Sequence, residues 1–314
     1  RTGMLFSSPA GNDLLFDEKL IEQGRNFSNK IWNAFRLVKG WEIVENPQPE
    51  VNKQAITWFE NKFNQALTEM EDHFSKFRMS DALMTVYKLV WNDFCSWYLE
   101  WIKPEYGKPI DQATYHHTVV LFEKVLRILH PFMPFITEEL WHELKDRQEG
   151  KAIIVAEWPK ASDVNNSVIK EADLLFEITS SIRNIRNSKG ISPKESLELI
   201  TKSSIETIAT SLEKLANISE VKMEDKPENA FSFVVGSDEF FIPASQSIDI
   251  EAERKKIEDE LNYTLGFMKS VQKKLSNEKF VKGAPEQVVA MERKKLTDAE
   301  AKIKTLEESL AKLQ

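Results

Sequence analysis

From Ile248 to the end of the chain, side chains that are almost all apolar return every seven positions. Ile250, Ile257, Thr264 and Val271 form one series, with Leu261, Met268 and Leu275 as its companion four residues on. Past Gly283 and Pro285 the pattern resumes with Val289, Leu296, Ile303 and Leu310, joined by Ala299, Leu306 and Leu313. Such a repeat is the seam of a coiled coil, and a Gly/Pro turn between two runs predicts an antiparallel hairpin. Each arm of about 27 residues reaches roughly 40 Å at 1.5 Å per residue. Between positions 269 and 295 eight Lys and Arg stand against three Glu, so the tip is basic while the base is acidic. A basic tip is either a solvated coil end or a reach for phosphate.

Upstream, five apolar stripes at helical spacing predict an all-α bundle over about 17–146. The first helix runs from a cap at Asp17 to about Val44, the second over 50–76, the third over 80–103 and the fourth over 110–130. The fifth, ITEELWHEL, follows a kink at Pro131 and Pro134, with Thr137 suited to its start. Ser80 or Asp81 is placed to cap the third helix. That helix carries Tyr87, Trp91, Phe94, Trp97, Tyr98 and Trp101, which at this spacing are core residues, or a stacking platform if rings are exposed. His116 and His117 are adjacent and point to different faces, which makes them poor joint metal ligands. After Gly150 the pattern changes to a small α+β unit. Its expected strands are 152–159, 197–201, 221–225, 231–235 and 239–244, with helices over 166–188 and 204–217. Arg183, Arg186 and Lys189 near the end of the 166–188 helix suit its dipole and also form a basic cluster.

The first helix holds GRNFSNKIWNAFR, residues 24–36. Phe27, Ile31, Ala34, Phe35 and Val38 make its core stripe. Asn26, Asn29, Lys30, Asn33 and Arg36 share the opposite side, with Arg25 and Trp32 at its edges. This face has amides and cations but no carboxylate. It is a solvated surface, or a surface that pairs with base edges and neutralises phosphates. Trp32 could be core or a stacking ring. The chain's net charge of −8 does not favour nucleic acid, so any RNA contact must come from local patches. One cysteine among 314 residues excludes an internal disulfide and a multi-cysteine zinc site, and suits a reducing, cytoplasmic setting. No apolar run of membrane-spanning length is present. The opening RTGMLFSSPAGND has neither an initiator Met nor a signal peptide's pattern, and reads as part of a longer protein.

RNFSNKIWNAFR, NDFCSWYLEWIKP (92–104) and LHPFMPFITEELW (129–141), in this order, resemble the anticodon-binding helical domain of class I aminoacyl-tRNA synthetases of the valine, isoleucine, leucine and methionine group. GMLFSSPAGNDLLFDEKLI (3–21) resembles the passage into that domain from the catalytic part, and NEKFVKGAPEQVVAMERKKL (277–296) is similar to the C-terminal arm of valyl enzymes. KFRMSD (76–81) has too little of the KMSKS loop to be one. The resemblance implies a mainly α fold: an anticodon-binding bundle (17–150) after a short tail of the preceding region (1–16). A small α+β connecting domain (151–247) and a coiled-coil tRNA-binding arm (248–314) follow. It implies tRNA(Val) as partner, with no DNA, no membrane and a monomeric full-length enzyme. Arg25, Asn26, Asn29, Lys30, Trp32, Asn33 and Arg36 would face the anticodon loop. Lys273, Lys274, Lys279, Phe280, Lys282 and Arg293 would meet the tRNA's outer corner, with Phe280 either stacking on a base or closing the hairpin. No catalytic residue, metal or cofactor is expected in this segment; ATP and Mg2+ belong to the full-length enzyme. The alternatives are the same portion of an isoleucyl or leucyl enzyme, and a protein-interaction scaffold.

Overall fold

The computed structural model describes residues 2–6, 18–148, 150–227, 229–243, 250–276 and 286–312. The first part is a helical bundle: α1 (Thr2–Phe6), α2 (Glu18–Lys39), α3 (Glu50–Ser75), α4 (Met79–Lys88), α5 (Leu99–Ile102), α6 (Gln112–Leu129) and α7 (Pro134–Leu144). Its centre is aromatic. The Phe59 ring lies 5.0 Å from that of Tyr98 and 5.2 Å from that of Phe94, and Phe94 meets Phe122 at 4.9 Å. All four are fully buried. Burying such rings contributes on the order of 2–3 kcal/mol each in transfer terms alone. α1 packs on α2 so tightly that a Cβ on Gly24 would come within 2.9 Å of the Gly3 backbone nitrogen. The absence of side chains at both glycines permits this approach.

Several expected boundaries move, each for a local reason. The first helix stops at Lys39 rather than Val44, because Ile43–Val44 (β1) pair in parallel with Ile110–Asp111 (β2). The expected Asp17 cap lies outside the described residues. Neither Ser80 nor Asp81 caps α4, which begins at Met79; Ser80 Oγ instead donates to the Leu5 carbonyl at 2.8 Å and ties α1 to α4. The third helix is not uniform, since Leu89–Tyr98 between α4 and α5 winds as a π-helix. Ser96 Oγ donates to the Trp91 carbonyl five residues back at 2.8 Å, spanning the widened turn. α7 starts at Pro134, whose missing N–H costs nothing in a first turn, and Thr137 is buried within it. Residues 152–159 form no strand. Ile153–Val155 make one 3₁₀ turn, held by the Ile153 N–H to the Glu138 carboxylate, with Ile153 buried and Ile154 and Val155 exposed.

The next part wraps α8 (Asn166–Lys189) and α9 (Glu206–Ala216) against a sheet of β3 (Leu197–Thr201), β4 (Ile218–Met223), β5 (Ala230–Val235) and β6 (Asp238–Pro243). Strand order is β4-β3-β6-β5. β3 and β4 are parallel through the α9 crossover, and the other pairs are antiparallel. The β5–β6 hairpin turns through Gly236 at φ 61°, a conformation open to glycine. Arg186 is no part of a surface cluster. It is buried and donates to the carbonyls of Ser192, Glu195, Ala216 and Asn217 at 2.8–3.0 Å, tying three chain segments together. Arg183 lies over the Trp97 ring and bonds the Leu215 carbonyl, and Lys189 lies over Phe231.

This unit joins the bundle through polar contacts within an apolar surround. Trp101 Nε1 donates to Ser211 Oγ at 3.0 Å, which donates in turn to Gln54 Oε1 at 2.9 Å. Lys214 places its ammonium 3.3 Å from Asn52 Oδ1, beside buried Asp111. Desolvation pushes that amine down to about 8, against the pull of Asp111 and Glu105. α10 (Ile250–Leu275) and α11 (Glu286–Lys312) form the antiparallel pair expected from the heptads. Thr264, Val271, Val289, Ala299 and Ile303 are buried in its seam. Among the described residues no helix is long and apolar enough to cross a membrane.

Asp93, on the π-helix, is held away from water and its carboxyl is pushed up to about 6; nearby Lys62 opposes the shift and Asp173 adds to it. The folded chain therefore binds this proton more tightly than the unfolded one. The resulting penalty is absent below about pH 4, grows between pH 4 and 6, and is complete above. Asp93→Asn is expected to stabilise the protein by about 2 kcal/mol at pH 7.5, less than the full shift implies because the residue is partly exposed. The gain should vanish at pH 4 in paired chemical denaturation curves.

Candidate nucleic-acid interface

α2 builds its polar face by burying the other one. Phe27, Ile31 and Val38 have no exposed surface, and Ala34 and Phe35 retain 6%. With that stripe fixed, the helical repeat leaves Asn26, Asn29, Asn33 and Arg36 in solvent. Among the described residues none of these four side chains has a hydrogen-bond or ion-pair partner. Three amides and a guanidinium thus keep their full donor and acceptor capacity, which is what reading base edges requires. Arg25 is exposed but paired with Glu22 at 3.0 Å, a contact worth little between such open side chains.

Two residues of this stretch depart from the simple two-face picture. Trp32 is not core: it is 38% exposed, with its ring 5.6 Å from Phe35. Lys30 is half-buried and folds away from the amides. Its ammonium lies 5.3 Å from the centre of the Trp91 ring on the π-helix. Sequence spacing placed Lys30 on the polar side but held no sign of this partner, which the π turn brings within reach.

In the arm, Lys273, Lys274 and Arg293 are exposed. Lys279, Phe280 and Lys282 lie outside the described residues. One feature of the seam lies outside the expected apolar series. Counting back seven from Ala299 reaches Glu292, so a carboxylate occupies an apolar register position and is 7% exposed. The signal was present in the repeat itself. Glu292 Oε1 accepts from Lys295 Nζ at 2.8 Å, while Oε2 has no hydrogen bond and sits 3.9 Å from Lys274 Nζ. The hydrogen bond from Lys295 holds this carboxyl below the ordinary glutamate range, helped by the Lys274 charge and opposed by desolvation. Among the described residues no cluster of His, Cys, Asp or Glu could hold a metal ion. Cys95 is buried, and desolvation pushes its thiol up to about 12, which removes it as a nucleophile.

Residues 57–201 match the family model of the anticodon-binding domain of tRNA ligases, and residues 249–314 match that of the valyl tRNA synthetase tRNA binding arm. The first match begins downstream of α2. Relatives cover that helix too. The valine–tRNA ligase of Christiangramia forsetii is 51% identical over the whole chain, and that of Phocaeicola vulgatus is 50% identical. The valine–tRNA ligase of Fusobacterium nucleatum is 32% identical over 99% of the chain. The chain spans 36% of the length of the first two and 37% of the third.

Because the folded Glu292 carboxyl is depressed, the stability it contributes is present above its unfolded value near 4.3 and lost as pH falls through the folded value. Helicity of the arm is expected to decline as pH falls below the ordinary glutamate range, and Glu292→Gln should flatten that decline in a circular-dichroism titration.

Proposed function

This chain belongs to the valine–tRNA ligase family, and from that premise we propose that it positions tRNA(Val) for aminoacylation performed by an upstream portion of the enzyme. The observation that carries the reading is the α2 face, where Asn26, Asn29, Asn33 and Arg36 have no side-chain partner among the described residues and stand beside a rigid aromatic core. A single-stranded anticodon loop exposes Watson–Crick edges that amides and guanidinium can pair with. The arm supplies a second contact of different character. Lys273, Lys274 and Arg293, with Lys279, Phe280 and Lys282 of the tip, meet the outer corner of the tRNA chiefly through its phosphates. Arg25, Lys30 and Trp32 complete the anticodon-facing set.

Two contacts far apart on one stiff RNA restrict its orientation more than either alone. The contribution to catalysis is therefore positioning: the acceptor end is delivered to a site elsewhere without new bonds to this segment. ATP, Mg2+ and valine are handled upstream, and a single copy of the enzyme serves one tRNA. The overall charge of −8 does not oppose this, since the cations that matter are gathered at the arm's tip and along one helix face.

Binding of the purified chain to valine tRNA and to a non-cognate tRNA tests the reading. Arg36→Ala or Asn33→Ala should weaken cognate binding about tenfold and leave the non-cognate affinity unchanged. A double Lys273→Ala, Arg293→Ala change should weaken both and lower the salt dependence by about one to two ions, roughly one for each phosphate no longer neutralised. Equal losses for both tRNAs in the Arg36 and Asn33 variants would remove the anticodon-reading role.

A further inference from the structure

The α2 face has one member that points elsewhere, and its destination is an aromatic surface. Lys30 sets its ammonium 5.3 Å from the centre of the Trp91 ring. Trp91 is not fully buried: it is half-buried, packed against the buried aromatic core. The ring is braced from within the protein. Tyr87 stacks on it at 5.6 Å and 24°, Phe27 lies 6.5 Å away, and Phe6 meets Tyr87 edge-on at 5.3 Å. Its indole N–H makes no hydrogen bond to any described residue. Asn92, next in the chain, is exposed with its amide equally unpartnered among the described residues.

We propose that Trp91 is a base-stacking residue of the RNA site, covered in the free protein by the Lys30 ammonium and uncovered when RNA binds. The inference rests on the RNA-binding reading and extends it from α2 to the π-helix. An indole braced on both neighbours loses little freedom on stacking, and every nucleobase has a face to offer it. The cation now over the ring is the natural partner for the phosphate of the nucleotide that replaces it. Stacking of a base on an aromatic ring is worth more than a partly exposed cation–aromatic contact, so the exchange is favourable. The free indole N–H and the Asn92 amide stand ready for acceptors on the base or the 2′-hydroxyl. Stacking does not discriminate among bases, so this site adds affinity and holds the loop open while the α2 amides select.

The test uses the purified chain and valine tRNA transcripts carrying 2-aminopurine at single anticodon-loop positions. At one position wild-type protein should quench the fluorophore by stacking. Trp91→Leu should abolish that quench and weaken binding about tenfold, whereas Trp91→Phe should keep most of both. Lys30→Met should keep the quench and reduce the salt dependence of binding by about one ion. Quench and affinity unchanged in Trp91→Leu would overturn the proposal while leaving the anticodon reading intact, because Arg36→Ala would still lose cognate selectivity. If Trp91→Leu melts below wild type, the quench pattern of wild type, Trp91→Phe and Lys30→Met decides alone. No position quenched by wild type overturns the proposal, and a quench lost in Lys30→Met overturns the covering role.

Discussion

The packing of rings around Phe59 is the constraint from which the rest of the molecule takes its geometry. Phe59 stacks on Tyr98 and touches Phe94, Trp58 reaches Phe176 at 4.9 Å, and Phe176 in turn stacks on Trp97 at 4.0 Å. One continuous aromatic layer therefore links α3, the π-helix, α6 through Phe122, and α8 of the following unit. Rings are stiff and bury large areas, so they fix angles between helices more firmly than aliphatic contacts of the same size. The π-helical winding belongs to this layer. It places Phe94 and Tyr98 in the core while Trp91 and Asp93 remain toward the edge.

Rigidity here serves recognition at the surface. α2 can leave amides and a guanidinium unpaired because its buried stripe already holds it in place. A helix that needed side-chain pairs for stability would have used that face for them. The same logic separates Arg186 from Arg36. Both are arginines near a helix end, but four carbonyls enclose one, and nothing described engages the other. A guanidinium at a helix C-terminus is therefore not evidence of a nucleic-acid patch until its partners are known.

Much of the fold is legible in the residues alone. The heptads of the arm, the two faces of α2 and the strands at 197–201 and 231–235 follow from periods of 3.5, 3.6 and 2, which local geometry imposes on any chain of that pattern. What periodicity could not carry was where polar side chains end. Spacing put Lys30 among the amides, yet its stem is long enough to reach Trp91. It offered Ser80 as a cap, yet Ser80 bonds Leu5 from a helix seventy-five residues earlier. Glu292 was visible in the repeat as an acid at an apolar position, and only the facing arm shows that Lys274 and Lys295 compensate it. The run 152–159 had the composition of a strand and no neighbour to pair with, so of its three isoleucine and valine side chains only Ile153 is buried.

The sequence by itself determined the classes of structure and the chemistry on offer: helices that bury one stripe, an arm with a basic tip, and a carboxylate-free stretch over residues 24–36 of the first long helix. These depend on residues a few positions apart, whose relation the backbone dictates. Tertiary structure decided which of those groups are free to act. It enclosed Arg186, turned Lys30 onto an indole and left Asn26, Asn29, Asn33 and Arg36 open, because partners for these side chains come from segments distant in the chain. No local period records that distance.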